Sequence, residues 1–325
     1  MTETTAQRVR PAGDPLRRAL ELLGDQWTLL ILQSLFLRFR RYEELRLRLR
    51  ISPTALSGRL REMVDAGMLV RTPYRDARRT RHEYRLTERG LELWPLLISI
   101  WAWEREWVEG RRAVLPTLIH LDCELATSAP LGCAACVRRV DPRDVRATRL
   151  DDTGVAAATA SKRFRRKDAD SLAADPLMFF PDTMELLGDR WSTGLVVSAL
   201  LGSHHFSEFE RELGIGPSVL SGRLSRLVEV GVLRTGTATT RTDAHDYRLT
   251  AKGLAFFPAL AFIAEWSRGF EVVGQAPDIT LDHIECGNRL QPILMCDHCG
   301  KPLLRDSVRF GGAVGLPAPT RQGAE

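Results

Sequence analysis

Six cysteines and two histidines stand in two sets with the same spacing, His-x2-Cys-x9-Cys-x2-Cys. The first set is His120, Cys123, Cys133 and Cys136; the second is His283, Cys286, Cys296 and Cys299. Thiolate and imidazole are the donors that zinc takes, and Cys-x2-Cys lets two thiolates face one ion. Three Cys and one His within each set would complete a closed tetrahedral site, so structural zinc is expected, up to two ions per chain. Cys296-Asp-His-Cys-Gly300 has the form of a zinc knuckle, with Gly releasing the turn. In a strand, residues three apart point to opposite faces, so His120 and Cys123 converge only at a bend. Asp297 or His298 could stand in for a ligand in the second set. The first set has Glu124 and Val137 where the second has Gly287 and Gly300. A thiol switch and unligated reduced cysteines are the alternatives.

What positions these sets is a duplication. Leu22-Leu-Gly-Asp-Gln-Trp27 returns as Leu186-Leu-Gly-Asp-Arg-Trp191, and Tyr84-Arg-Leu-Thr87 as Tyr247-Arg-Leu-Thr250. In copy one, amphipathic helices are expected at 15–24 and 27–37, and a short one at 41–48 with Tyr42, Leu45 and Leu49 inward. A turn at Ile51-Ser52 leads into a further helix, and strands follow near 69–71 and 83–86. Thr87 then caps a long helix from Glu88 to about Val108. Helix, turn, helix and hairpin is the winged helix-turn-helix order. The fold class is mainly α with small β-hairpins (α+β): tandem winged helix-turn-helix domains, each followed by a small Cys-rich β lobe.

The helix after the turn runs Ser52-Pro-Thr-Ala-Leu-Ser-Gly-Arg-Leu-Arg-Glu-Met-Val-Asp-Ala-Gly67. Ser52 suits an N-cap, Pro53 the first helical position and Gly67 the stop. Leu56, Leu60, Met63 and Val64 form one apolar stripe. The opposite face carries Thr54, Ser57, Gly58 and Arg61, with Arg59 on its flank. Small, polar and cationic groups of this kind suit a DNA major groove. Thr54, Ser57 and Arg61 would read bases. Arg59 and the hairpin arginines Arg75, Arg78, Arg79 and Arg81 would hold phosphates. Copy two offers Ser218, Ser221, Gly222, Arg223 and Arg226, with Arg241 alone in its hairpin tip. Ser225 replaces Arg61 there, so copy two should bind DNA more weakly or differently.

These residues resemble the HxlR-type family of bacterial winged helix-turn-helix transcriptional regulators. The resemblance rests on Gly24-Asp-Gln-Trp27, Ile51-Ser-Pro53, Leu56-Ser-Gly-Arg-Leu60 and Tyr84-Arg-Leu-Thr-Glu-Arg-Gly90. In copy two it rests on Gly188-Asp-Arg-Trp191, Ile215-Gly-Pro217, Leu220-Ser-Gly-Arg-Leu224 and Tyr247-Arg-Leu-Thr-Ala-Lys-Gly253. It implies a dimer on double-stranded DNA, held by the terminal helices, acting as repressor or activator. Many members carry a redox-sensing Cys before the first helix. Asp14-Pro15 and Asp175-Pro176 stand there instead, so that sensing is not carried over. Two fused copies suggest an intrachain pseudo-dimer that packs helices 91–107 and 254–270 together. The stripes Leu93, Leu97, Ile100, Trp101 and Phe257, Leu260, Ala261 would serve it, or each would be the core of its own copy.

The chain has 325 residues, enough for two domains with cores. Residues 1–150 hold 27 Arg, no Lys and 19 acids, while the remainder holds 19 basic and 22 acidic groups. The basic half favours a polyanion partner. No apolar run approaches a membrane span and the N-terminus lacks a signal-peptide core, so a cytoplasmic location is expected. No phosphate loop, Gly-x-Ser-x-Gly or His-Glu-x-x-His is present, and an enzyme is not expected. The rival reading is a protein-docking or metal/thiol-sensing adaptor in which at least copy two does not bind DNA. The expected divisions are an unstructured 1–12, copy one at 13–112, its lobe at 113–150 and a linker at 151–174. Copy two follows at 175–273, its lobe at 274–309, and an unstructured tail at 310–325.

Overall fold

A computed structural model of the chain describes residues 15–76, 79–149, 181–188, 190–237, 245–270 and 279–311. The N-terminal segment, the linker, most of the tail and the hairpin tip with Arg78 and Arg241 lie outside these residues. Copy one opens with α1 (Pro15–Leu23), α2 (Gln26–Phe36), α3 (Tyr42–Leu49) and α4 (Pro53–Asp65). Strands β1 (Leu69–Asp76) and β2 (Arg79–Leu86) form an antiparallel wing pairing Leu69 with Leu86 and Asp76 with Arg79. The wing is longer than the alternation of its ends implied, because pairing continues out through the charged residues.

The long helix expected after Thr87 is broken. Thr87 caps α5 (Glu88–Leu91), accepting from the Gly90 amide at 3.1 Å, and α6 (Trp94–Trp107) starts afresh. Pro95 lies in the first turn of α6. It has no N–H to give to the carbonyl four residues back and its ring crowds that group, so the helix restarts there. After the short α7 (Arg111–Val114) come β3 (Thr117–His120), β4 (Leu131–Cys133), β5 (Arg138–Arg139) and β6 (Val145–Arg149).

Copy two repeats the order with α8 (Pro181–Leu187), α9 (Arg190–Leu200), α10 (Phe206–Leu213) and α11 (Pro217–Glu229). Its wing is β7 (Leu233–Thr237) and β8 (His245–Leu249), followed by α12 (Ala251–Leu254) and α13 (Phe257–Ser267). Its lobe has β9 (Ile279–His283), β10 (Pro292–Leu294) and β11 (Val308–Gly311). Residues 310 and 311, read from sequence as the start of an unstructured tail, are therefore strand.

The two copies pack on each other through α6 and α13, with α1 also against α13. Trp103 Nε1 donates to the Lys252 carbonyl at 2.9 Å, and Trp266 Nε1 donates to the Arg89 carbonyl at 3.0 Å. Position 103 corresponds to 266 and 89 to 252, so this is one contact made twice about a pseudo-twofold axis. The side chain of each acceptor residue covers the ring whose N–H its carbonyl accepts: Arg89 lies 4.5 Å above Trp266 and Lys252 5.4 Å from Trp103. Trp101 faces elsewhere, donating to the Pro116 carbonyl at 3.1 Å and meeting Phe310 edge-on.

The lobes are exchanged. β3 pairs with β11, β4 with β10 and β6 with β9, all antiparallel and all between copies. Within copy one, β5 pairs with β4. No helix among the described residues is long and apolar enough to cross a membrane.

Candidate nucleic-acid interface and metal-ligating clusters

The helix that sequence singled out is capped as expected: Ser52 accepts from the Ala55 amide at 3.3 Å, and Pro53 takes the first position. Leu56, Leu60 and Met63 are buried, whereas Thr54, Ser57 and Arg61 are exposed. Tyr42 on α3 steadies this face, its hydroxyl donating to the Pro53 carbonyl at 3.0 Å and lying 3.2 Å from Ser57 Oγ. A Cβ placed on Gly58 or Gly222 would meet nothing within 4 Å. Nothing among the described residues requires glycine there, although glycine inside a helix costs about 0.5–1 kcal/mol against alanine. Arg75 and Arg81 are exposed on the wing beside it. Arg79 has a described backbone only, and Arg78 lies outside the described residues.

Arg59 behaves otherwise than expected. Its guanidinium meets Asp25 at 2.9 Å and also pairs with Glu62, leaving its side chain 22% exposed. Asp25 caps α2 by accepting from the Thr28 amide at 3.1 Å. Burial pushes the Asp25 carboxyl up, against the pull of Arg59 and the amides of Thr28 and Trp27. Arg59 thus ties α4 to the start of α2, and its charge is already matched. Arg226 is held likewise, at 3.0 Å from both Glu185 and Glu229. Ser218, Val219, Ser221, Gly222 and Ser225 form an exposed uncharged face on α11, with Arg223 half-buried beside it and Glu229 exposed at the helix end.

The cysteine sets do close, but not within copies. His120 and Cys123 meet Cys296 and Cys299; Cys133 and Cys136 meet His283 and Cys286, each group's ligand atoms within 4.8 Å of one another. The single-copy sets expected from spacing are corrected by the strand exchange, which sets each His-x2-Cys beside the other copy's Cys-x2-Cys. In the first cluster His120 Nδ1 lies 3.4 Å from Cys123 Sγ and 3.3 Å from Cys299 Sγ, and the Cys123 and Cys296 sulfurs are 3.7 Å apart. In the second, His283 Nδ1 lies 3.4 Å from Cys136 Sγ and 3.2 Å from Cys286 Sγ.

The bend that His-x2-Cys required is present. β3 and β9 end at the histidine, and the chain turns with Glu124 (φ 57°) or Gly287 (φ 68°) left-handed. The Cys-x2-Cys turns likewise end on Val137 (φ 54°) and Gly300 (φ 69°). Copy one thus makes the turns of copy two with side chains that strain them, Val most of all because it is β-branched. Asp297 is drawn away from the cluster and accepts from the Ser128 amide at 3.1 Å and hydroxyl at 2.7 Å, so it does not stand in as a ligand.

The thiols of each cluster differ. The Asn288 amide draws the Cys286 thiol down to about 6. Cys296 also falls to about 6, burial opposing and the Cys299 and His298 amides prevailing. Cys123 is pushed up despite the Leu125 amide, by burial and its sulfur neighbours, and burial pushes Cys136 up. Each cluster therefore holds one thiol drawn down and one pushed up, Cys296 with Cys123 and Cys286 with Cys136.

Several known proteins are similar to parts of this chain. The uncharacterised HTH-type transcriptional regulator Rv3095 of Mycobacterium tuberculosis is 34% identical over 125 residues, covering 38% of this chain and 79% of that protein. The regulators sll1512 of Synechocystis (33% over 112 residues, 34% of this chain and 82% of that one) and YvaP of Bacillus subtilis (32% over 93 residues, 28% and 85%) are also similar. The crystal structure of PA1607 shares 31% identity over 40% of this chain and 93% of that one, with a TM-score of 0.36. The family described as HxlR-like helix-turn-helix matches residues 22–112 and 186–273, more than half of the sequence. The chain belongs to that family of transcriptional regulators and carries its domain twice.

Proposed function

We propose that the chain is a sequence-specific DNA-binding regulator that carries both reading heads of a dimer in one polypeptide. The observation that supports this best is the face of α4 on which Thr54, Ser57 and Arg61 are exposed around Gly58, with Arg75 and Arg81 exposed on the wing beside it. Arg61 and the hydroxyls read base edges, and the wing arginines hold phosphates. Because α11 presents Ser225 in place of Arg61 and a neutral face, the two half-sites are unlike and copy one dominates the reading.

The test is a footprint on the organism's own promoter fragments together with the mass in solution. Two half-sites about one helical turn apart with a monomeric mass are expected. Arg61→Ala should relax preference at one base position, costing about 1–3 kcal/mol on the preferred site only. Arg75→Ala should weaken all sequences alike and flatten the salt slope. Equal effects of both on every sequence would overturn the roles. Gly58→Ala should raise stability by about 0.5–1 kcal/mol and yet lower DNA affinity, since its methyl points only outward. Unchanged binding, measured by anisotropy, would remove the close approach at Gly58.

A second reading applies to copy two alone, as a docking or sensing head, favoured by Ser225 standing where copy one has Arg61. A footprint confined to one half-site would select it.

The two clusters suit structural zinc, up to two ions per chain. Four protein donors fill a tetrahedral site and leave no open position for catalysis. Elemental analysis of untagged protein finding under about 0.2 zinc per chain would sink this reading.

A further inference from the structure

We propose that the two zinc ions are staples between the halves of the chain, each held by the His-x2-Cys turn of one copy and the Cys-x2-Cys turn of the other. This rests on the zinc reading above. The sulfurs of Cys123 and Cys296, 173 residues apart, lie at 3.7 Å. That is the edge of a tetrahedron with zinc–sulfur bonds of about 2.3 Å, and well beyond a disulfide at about 2.05 Å.

Burial makes each site dependent on both halves. In one cluster His120 (1% exposed) comes from copy one and the buried thiol Cys296 (1%) from copy two. In the other the origins reverse, with His283 (0%) from copy two and Cys133 (0%) from copy one. His283 Nε2 is buried with no hydrogen-bond partner among the described residues, Glu285 standing 4.0 Å off, while Nδ1 faces the sulfurs. Cross-copy ion pairs flank both clusters, Lys301 with Asp122 at 3.0 Å and Arg138 with Glu285. Each ion takes three thiolates and a neutral imidazole, and the thiol protons leave to solvent.

Zinc counting on the full-length chain separates this from sites closed within copies. Wild type should hold about two ions. Cys123→Ser with Cys299→Ser removes two ligands from one staple, so one ion should remain. Cys123→Ser with Cys136→Ser cripples both staples, so no ion should remain. Sites within copies demand the reverse, and that result overturns the proposal. Wild type without zinc overturns the zinc reading itself, a distinguishable failure. Where a double variant does not fold, top-down mass spectrometry of wild type holding a single ion, alkylated with N-ethylmaleimide under native conditions, reads the same pairing. Joint protection of Cys123, Cys296 and Cys299, or of Cys133, Cys136 and Cys286, is expected; joint protection of Cys123, Cys133 and Cys136 overturns it.

Discussion

Replacing Arg111 by methionine is expected to destabilise the chain by about 3–5 kcal/mol, the usual cost of stranding one partner of a buried ion pair. Arg111 Nε donates to Glu104 Oε2 at 3.1 Å, and both side chains are almost wholly buried. The other Glu104 oxygen accepts from the Thr183 hydroxyl of copy two, so the pair sits where the copies meet. Burial pushes the Glu104 carboxyl above its ordinary value of 4.5, while Thr183 and Arg111 pull it back. A carboxyl raised on folding supports the fold fully below its unfolded value, and that support is lost as pH rises through the folded value. Removing Arg111 raises Glu104 further. The deficit of the variant should therefore be largest near pH 8 and shrink towards about pH 5. Urea unfolding of both proteins at the two pH values checks this. A deficit under about 1 kcal/mol, or one equal at both, would mean that the pair is hydrated and unimportant.

The second large effect concerns metal. Stripping zinc with a chelator should unfold the exchanged lobes while sparing the helical copies. The lobe strands run two to five residues, too short to be stable alone. Structural zinc contributes about 10–16 kcal/mol of apparent binding energy per site in small peptides, and here that energy would go into holding the lobes. Hydrogen exchange read by mass spectrometry should show protection collapsing across 117–149 and 279–311 and persisting across 26–65. Uniform loss would mean that the lobes hold up the whole molecule, and no loss would mean that the strands stand without metal.

Much of the reading helix was legible because its signals are local. Ser52, Pro53 and the apolar stripe are neighbours in sequence, and capping and periodicity act over a few residues. The ion pairing of Arg59 was not legible, for an equally plain reason. Its partner Asp25 lies 34 positions upstream, and helical spacing says nothing of what stands opposite. The Asp of the repeated Gly-Asp-x-Trp motif was the available signal, a capping carboxylate facing a reading-helix cation. Trp103 and Trp266 were missed as the cross-copy anchors because every apolar residue of α6 and α13 reads alike until the two helices meet.

By itself the sequence determined the duplication, the winged helix order, the exposed polar face of α4 and the form of each cysteine turn. All of these are set by contacts between near neighbours. Tertiary structure alone decided which turns face each other. The two copies carry the same turns at the same spacing, so closure within a copy and closure across copies are locally equivalent. The choice falls to the packing of α6 on α13 and to the pairing of β3 with β11 and β6 with β9. These are long-range contacts, and they bring each His-x2-Cys beside the Cys-x2-Cys of the other copy.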